Sequence, residues 1–261
     1  MLFFWIGFFS LGFFAATLGF IFAQKRGLMA IVDVIWAGGL GCSSLAYFIV
    51  SDLDSVRSYF VLMVILTWSA RLSLYLFRDR VLGGHEDPRY KSLSDHWGEK
   101  APIKFYFLFQ VQVLFVALFL IPVIIAMDCP KPFGHVMDVI GLGVAVVAML
   151  GETFADRQLA VFRAQPSNKQ CVCQSGLWRY SRHPNYFFEW LHWFAYTIFA
   201  LGSPLVWLSW IGPIAMYLFL RFITGVPYAE RSSLKSRGDA YRQYQATTNT
   251  FFPWNPRNPQ V

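Results

Sequence analysis

Long blocks of apolar residues, separated by short polar segments, make up most of this 261-residue chain. A helix needs roughly 20 apolar residues to cross the hydrocarbon core of a bilayer. The blocks predict seven membrane-spanning helices, at residues 2–23, 28–50, 59–77, 105–127, 136–156, 185–201 and 204–223. A β-barrel would instead show short segments of alternating apolar and polar residues. The pattern therefore predicts an all-α polytopic membrane protein.

Composition supports this prediction, because 56% of the residues are hydrophobic and only 14% are charged. A soluble domain carries about a quarter charged residues. We expect one integral membrane domain over residues 1–261, with spans 1–3 and a loop in 1–103 and spans 4–7 and a tail in 104–261. The first span is too long for a signal-peptide core, and no basic residues precede it, so we expect it to be retained.

The four cysteines do not predict a disulfide framework in a chain of this kind. Cys171 and Cys173 are separated by one residue, whereas the cysteines of structural zinc sites have two to four residues between them. We therefore predict no metal site.

Lys and Arg residues are distributed unevenly among the predicted loops. Of 22 such residues, 19 fall on one side of the predicted bundle. The other side has only Arg57 and Lys131, and Arg71 lies within the third span. Because basic residues stay on the cytoplasmic side, the N-terminus is predicted outside and the C-terminus inside. We expect a multi-pass protein of a bacterial inner membrane.

Ionisable residues inside the predicted spans are expensive in a bilayer and indicate function. They are Asp33, Arg71, Glu152, Asp156, Glu189, His192 and Arg221. Helical spacing puts residues 185, 189 and 192 on one face, and likewise 152, 156 and 163, and 68, 71 and 75. We therefore expect a polar cavity that opens to the cytoplasm. The alternative is that pairs such as Glu152 and Arg71 only hold helices together.

Such a cavity, surrounded by basic residues, suits an anionic soluble cofactor, and its apolar flanks suit a hydrophobic small-molecule substrate that enters from the membrane lipid. Two reagents fit: NADPH, which gives a hydride, and S-adenosylmethionine, which gives a methyl group. Arginines suit phosphates best, which favours NADPH. A Gly-x-Gly-x-x-Gly motif before a helix does not occur, so a Rossmann domain is not expected. No nucleic-acid partner is expected, and the oligomeric state stays open.

The segment SGLWRYSRHPNYFFEW (175–190) resembles one shared by membrane steroid 5α-reductases, sterol reductases and isoprenylcysteine methyltransferases. The whole chain looks like an uncharacterised bacterial branch of the steroid 5α-reductase-like proteins. Other segments carry the same resemblance over residues 30–255: VDVIW (32–36), WSARLSLYLFR (68–78), HEDPRY (85–90), ADRQLAVFR (155–163) and the tail (227–254).

The resemblance implies reduction of a carbon–carbon double bond conjugated to a ketone, with NADPH held among the cytoplasmic helix halves. It implies that Asn185 and Glu189 contact the nicotinamide and that Asp156 and Arg163 contact adenosine and phosphates. The implied cofactor-binding residues are Arg71, Asp156, Arg163, Arg179, Tyr180, Arg182, His183, Asn185, Glu189, Glu230, Arg231 and Tyr241. Those in the tail align only loosely.

The substrate side departs from the animal steroid enzymes. Where those enzymes use a Gln-Glu pair and a Tyr, this chain offers Asp33, Trp36 and Trp68, which become the expected substrate-binding residues. Because indole cannot supply a proton, the proton donor is expected to be Asp33 or Tyr75, with Glu189 at the nicotinamide. Asp33 could instead be a structural partner of Arg71.

The sequence therefore predicts an NADPH-dependent reductase of an enone in a lipid-soluble substrate such as a steroid or isoprenoid. The alternative is an S-adenosylmethionine-dependent methyltransferase of the isoprenylcysteine or phospholipid type. Isoprenylcysteine methyltransferases have a paired-glutamate motif in the tail. This chain has there only the single glutamate of Ala229-Glu230-Arg231. A non-enzymatic lipid-binding or scaffold protein is a third possibility.

Overall fold

A computed structural model describes residues 2–84 and 86–257, and this part of the chain is helical without strands. The helices are α1 (Leu2–Arg26), α2 (Ile31–Val50), α3 (Val56–Leu76), α4 (Pro88–Trp97), α5 (Ala101–Met127), α6 (Val136–Ala164), α7 (Pro184–Phe199), α8 (Val206–Ser209), α9 (Ile211–Leu218) and α10 (Val226–Thr247). Wider π-helical turns extend α3 over Phe77–Leu82 and α9 over Phe219–Ile223.

Six helical stretches of the described chain are long and apolar enough to cross a membrane. They are Leu2–Arg26, Ile31–Val50, Val56–Leu82, Pro88–Met127, Val136–Ala164 and Val206–Thr247. The prediction of an all-α polytopic membrane protein is therefore confirmed. Helix α7 has 16 residues, or about 24 Å, which is shorter than the roughly 30 Å of a hydrocarbon core. The predicted orientation stays a prediction.

The contacts within the chain define two compact units. The first comprises residues 1–138 and 196–211, and the second comprises residues 139–195 and 212–261. The prediction of a single integral membrane domain stays a prediction.

In the first unit, small residues let helices α2 and α3 approach closely. A Cβ atom added at Gly41 would lie 2.3 Å from the Ser69 hydroxyl oxygen, so only glycine fits there. That hydroxyl donates to the Ala37 carbonyl of α2 at 2.7 Å. The bond satisfies a polar group that would otherwise be buried without a partner. Trp68, the residue before Ser69 on α3, is fully buried.

One end of the first unit is closed by a buried ion pair. Arg57, only 2% exposed, donates through Nε and Nη2 to the two carboxylate oxygens of Asp138, each at 3.0 Å. The same guanidinium also donates to the carbonyls of Lys131 and Pro132. Arg57 is therefore more than the outer-surface charge that the loop pattern indicated. It holds the segment before α6 against the start of α3.

Candidate cofactor site

Helices α6 and α7 bring together the polar residues that the sequence singled out in the second unit. The ring of Phe188 lies against Gly151, where a Cβ atom would be 2.4 Å from the ring. Further along, Asn185 Nδ2 donates to Asp156 Oδ1 at 3.1 Å. Ascending numbers in α6 meet descending numbers in α7, so the two helices are antiparallel. The Asp156–Asn185 bond therefore joins two segments that the resemblance had assigned separately to the cofactor.

One helical turn beyond this bond, the two helices carry buried carboxyl groups. Glu152, four residues before Asp156 on α6, is 5% exposed, and Glu189, four residues after Asn185 on α7, is 7% exposed. The indole nitrogen of Trp193 donates to Glu189 Oε1 at 3.2 Å. His192, also on α7, is buried as well. The polar stripe expected from the spacing therefore lies in the interior of this unit.

Arg182, just before α7, makes its bonds within the protein. Its Nε donates to Glu230 at 2.6 Å, and its Nη2 donates to the Thr250 hydroxyl at 2.8 Å. Its Nη1 donates to the carbonyls of Gln245 and Thr248. These four bonds leave little of the guanidinium for a phosphate. This geometry gives Arg182 a structural part, in place of the phosphate contact expected from the sequence.

His183 lies beside Arg182 and is also buried, at 4% exposure. Its Nε2 lies 3.4 Å from Glu230 Oε1, and its ring stacks on Tyr186. Burial lowers the pKa of the His183 imidazole, and the hydrogen bond to Glu230 opposes that shift only in part. A phosphate contact at a cleft mouth would need an exposed ring, so this geometry does not favour the expected role for His183. Glu230 serves the same network rather than an exposed surface.

The C-terminal segment is bonded along the stretch that precedes α7. The Trp254 N–H donates to the Tyr180 carbonyl at 3.0 Å, and the Arg182 N–H donates to the Asn249 carbonyl at 2.9 Å. The Ser181 hydroxyl donates to the Phe251 carbonyl at 2.8 Å. These bonds fix the start of α7, and with it the position of Asn185. The sequence placed the tail near the cofactor but gave no sign of this strap.

The other basic and aromatic residues of the predicted set have mixed surroundings. Arg179 and Tyr180 are exposed, with the guanidinium 6.0 Å from the ring centre. Arg231, also exposed, lies 4.9 Å from the ring centre of Tyr228. Tyr241 is buried at 4% exposure. None of these four residues lines the cleft described next.

An open cleft of about 360 Å³ lies beside the C-terminal end of α6. The residues that line it are Arg163, Asn168, Lys169, Ala229, Ser232, Ser233, Ser236 and Arg237. This lining, which lies wholly in the described part of the chain, has three cationic side chains and no acidic one. Arg237 is close enough to Arg163 for their charges to repel. We call this feature the cationic cleft.

Of the cleft residues, the sequence analysis named only Arg163. Residues 229, 232, 233, 236 and 237 recur at helical spacing and so share one face of α10. That spacing could have revealed them. A charged, serine-rich helix face is, however, more often a solvated surface.

Asp33, in the first unit, is an ion-pair partner rather than an evident proton donor. Its carboxylate accepts from Arg80, from Arg89 at 2.8 Å and from the Tyr90 hydroxyl at 2.6 Å. Asp87 joins the network, with 3.0 Å to each arginine. The Asp33 carboxylate is thus paired with two arginines. The sequence had suggested Arg71 as its structural partner, but the arginines that bond to it come from residues 80–89.

The other predicted substrate and catalytic residues of the first unit lie on α2 and α3. Trp36 meets Trp68 edge to face, with 5.7 Å between ring centres. Trp68 is fully buried, whereas Trp36 is half-buried and Tyr75 is 41% exposed. Arg71 is half-buried on the same helix as Tyr75. Trp36 is therefore better placed than Trp68 to meet a molecule from outside the core.

The fold and these polar clusters define a polytopic helical membrane protein with a basic, polar second unit. A family model described as "Protein of unknown function (DUF1295)" matches residues 19–248. The match covers most of the chain, so the protein belongs to this family, which is a steroid 5α-reductase-like membrane family. No curated protein matches the chain, and no solved structure does.

Proposed function

We propose that this protein is an NADPH-dependent reductase of a carbon–carbon double bond conjugated to a carbonyl group in a lipid-soluble substrate, such as a steroid or isoprenoid. The observation that supports the proposal most is the bond between Asn185 and Asp156. It brings together two segments that the resemblance assigns to the cofactor.

The distance along α6 supports an elongated cofactor. Arg163 follows Asp156 by seven residues, or about 10.5 Å along the helix axis. One end of this stretch carries the amide–carboxylate pair and the other end lines the cationic cleft. A cofactor with a neutral ring at one end and phosphates at the other fits this distribution. S-adenosylmethionine is close to neutral overall and has less use for three cations.

In this proposal, Asn185 and Glu189 hold the nicotinamide carboxamide. The indole of Trp193 orients Glu189 by its hydrogen bond, and the tail strap fixes the start of α7. Arg163, Lys169 and Arg237 hold phosphate. When NADPH is bound, it supplies the hydride.

The reaction adds a hydride to the β-carbon of the enone and a proton to the α-carbon. Negative charge builds on the carbonyl oxygen, so a hydrogen-bond donor aimed at that oxygen accelerates the reaction. The ion pairs of Asp33 with Arg80 and Arg89 argue against it as the acid. We therefore assign the acid to a water molecule, and we give Asp33 a structural part.

Thermal unfolding of the purified protein in detergent micelles tests the choice of cofactor. A ligand at about 100 times its Kd stabilises the folded state by about 2.7 kcal/mol. We expect NADPH to raise the melting temperature and S-adenosylmethionine to leave it unchanged. Asn185→Ala should weaken the NADPH response, whereas Thr153→Ala, at an exposed position of α6, should preserve it. A shift with S-adenosylmethionine alone would support the methyltransferase instead.

A further inference from the structure

We propose that the cationic cleft recognises a phosphate monoester, the 2′-phosphate on the adenosine of NADPH, and so selects NADPH over NADH. The inference rests on the proposed function and goes further, because it names residues that discriminate between two cofactors with the same reactive ring. The residues that carry it are Arg163, Lys169 and Arg237.

Three separate segments deliver these cations to one place. Arg163 lies one residue before the end of α6, and Lys169 lies in the turn that follows. The Asn168 amide holds this turn by donating to the Phe162 carbonyl at 3.0 Å and to Gln165 Oε1 at 2.9 Å. Cations brought together by a fixed turn and two helices are positioned before a ligand arrives.

Arg237 is the best oriented of the three cations. Its Nε donates to the Cys171 carbonyl at 2.8 Å, which fixes the plane of the guanidinium. Its Nη1 donates to the Ser236 hydroxyl at 3.3 Å, so these two bonds use two of its five N–H donors. The helix breaks directly after it, at Gly238, whose φ is +53°. Arg237 is thus held at the end of the first part of α10.

The charge of the cleft matches a monoester better than a diester. A phosphate monoester carries a charge of about −1.5 to −2 near neutral pH and offers three acceptor oxygens. The lining supplies three cations and no carboxylate, and two of the cations repel each other. Binding of a dianion would relieve that repulsion. A phosphate diester carries a single negative charge and would neutralise fewer of the three cations.

The size of the cleft fits part of a cofactor. Pockets for whole small molecules occupy about 300–1,000 Å³, and this cleft, at about 360 Å³, is near the lower limit. It can take a phosphate with its ribose, while the rest of the cofactor extends along α6 toward Asp156 and Asn185. NADH lacks the 2′-phosphate and would leave the three cations without their ligand.

Equilibrium binding of NADPH and NADH to the full-length protein tests this inference. We expect the wild type to bind NADPH about 10- to 100-fold more tightly, the scale of one charge-assisted hydrogen bond. Arg237→Ala and Lys169→Ala should each weaken NADPH by about tenfold or more and leave NADH unchanged. Lys235→Ala removes an exposed cation from the same helix but outside the cleft, so it should change neither affinity.

Equal affinities of the wild type for the two cofactors would overturn the inference while leaving the reductase proposal intact. An equal loss of affinity for NADPH and for NADH in Arg237→Ala would also overturn it. Adenosine 2′,5′-bisphosphate separates the two proposals further, because it lacks the nicotinamide. If it and NADPH both stabilise the wild type but not Arg237→Ala, and no enone is reduced, the cleft assignment stands and the reductase proposal fails.

A lipid headgroup is the competing source of phosphate. Binding should therefore be repeated in nanodiscs of neutral lipid and of lipid with added phosphatidic acid. Binding of phosphatidic acid to the wild type but not to Arg237→Ala, with the same NADPH affinity in both proteins, would assign the cleft to lipid and overturn the inference. Unchanged binding in both kinds of disc supports it.

Discussion

Arg57 and Arg237 carry the same guanidinium group in different surroundings. Arg57 is 2% exposed and bonded to both oxygens of Asp138 and to two carbonyls. Arg237 is half-buried, bonded through Nε to a single carbonyl, and close to another cation, Arg163. The first arginine completes an ion pair inside the protein. The second belongs to a group of like charges whose partner would come from outside.

The difference teaches how to separate structural arginines from candidate ligand-binding ones. Removing one member of a buried pair leaves the other charged and unpaired, which is costly. Removing one of several neighbouring exposed cations relieves repulsion and costs the fold little. By this criterion Arg182 is a structural arginine like Arg57, because its bonds go to Glu230 and to the tail. The sequence had assigned Arg182 to phosphate.

The largest effect should follow from Arg57→Ala. It leaves Asp138 buried without its counter-ion, and we expect a loss of about 3–5 kcal/mol in the free energy of unfolding. Chemical unfolding in mixed micelles measures it. Asp138→Asn should cost a similar amount, and the double variant should cost less than the sum of the two. Additive losses would show that the two side chains are not coupled.

Asp33→Asn should have an intermediate effect. The substitution removes the charge that pairs with Arg80 and Arg89, whose side chains are 15% and 27% exposed. We expect about 1–3 kcal/mol less stability and turnover within a few-fold of the wild type, because we propose a structural part for Asp33. Asp79→Asn, at an exposed position nearby, is the control. A drop in turnover of about 100-fold at full stability would restore Asp33 as the general acid.

The pH dependence of stability should show a smaller effect that traces to His183. Burial lowers the pKa of this imidazole, so below about pH 6.5 the unfolded chain binds more protons than the folded one. The contribution of His183 to the stability of the fold is therefore complete above about pH 6.5 and is lost as the pH falls below that value. Melting temperatures between pH 5 and 8 should fall less steeply with acid in His183→Gln. His96→Gln is the control. If the curve of melting temperature against pH for His183→Gln is parallel to the curves of the wild type and of His96→Gln, this prediction is refuted.

The smallest effect should be seen in the cationic cleft. Without ligand, Lys169→Ala and Arg237→Ala should change the free energy of unfolding by no more than about 0.5 kcal/mol, as for ordinary surface substitutions. A slight gain is expected from reduced repulsion. Losses comparable to that of Arg57→Ala would show that these cations support the fold, and the contrast between the two regions would disappear.

The apolar spans could be predicted well from the sequence because their length alone distinguishes them. The predicted span 204–223 was less successful, since the chain breaks it into α8, α9 and a wider turn. The α8–α9 break at Trp210 follows Ser209, whose carbonyl cannot accept a helical hydrogen bond from Pro213 because proline has no N–H. A criterion based only on the length of an apolar segment does not detect such breaks.

The site could be predicted only in part, and the physical reasons differ from residue to residue. Asp156 and Asn185 were found because each lies in a recognisable segment, and the structure joins them. The partners of Asp33 could not be found, because Arg80 and Arg89 reach it through a turn and a short helix that leave no hydrophobic pattern. Arg237 depends on a bond to Cys171, 66 residues away along the chain.

Transfer of deuterium from NADPH, labelled twice at the nicotinamide C4, tests the proposed reductase most directly. The protein in nanodiscs would be incubated with a panel that includes a steroid enone and an isoprenoid enal. We predict a saturated product with one deuterium on the former β-carbon and a proton from water on the α-carbon. Absence of deuterium from every product, or a methylated product formed from S-adenosylmethionine, would contradict the proposal.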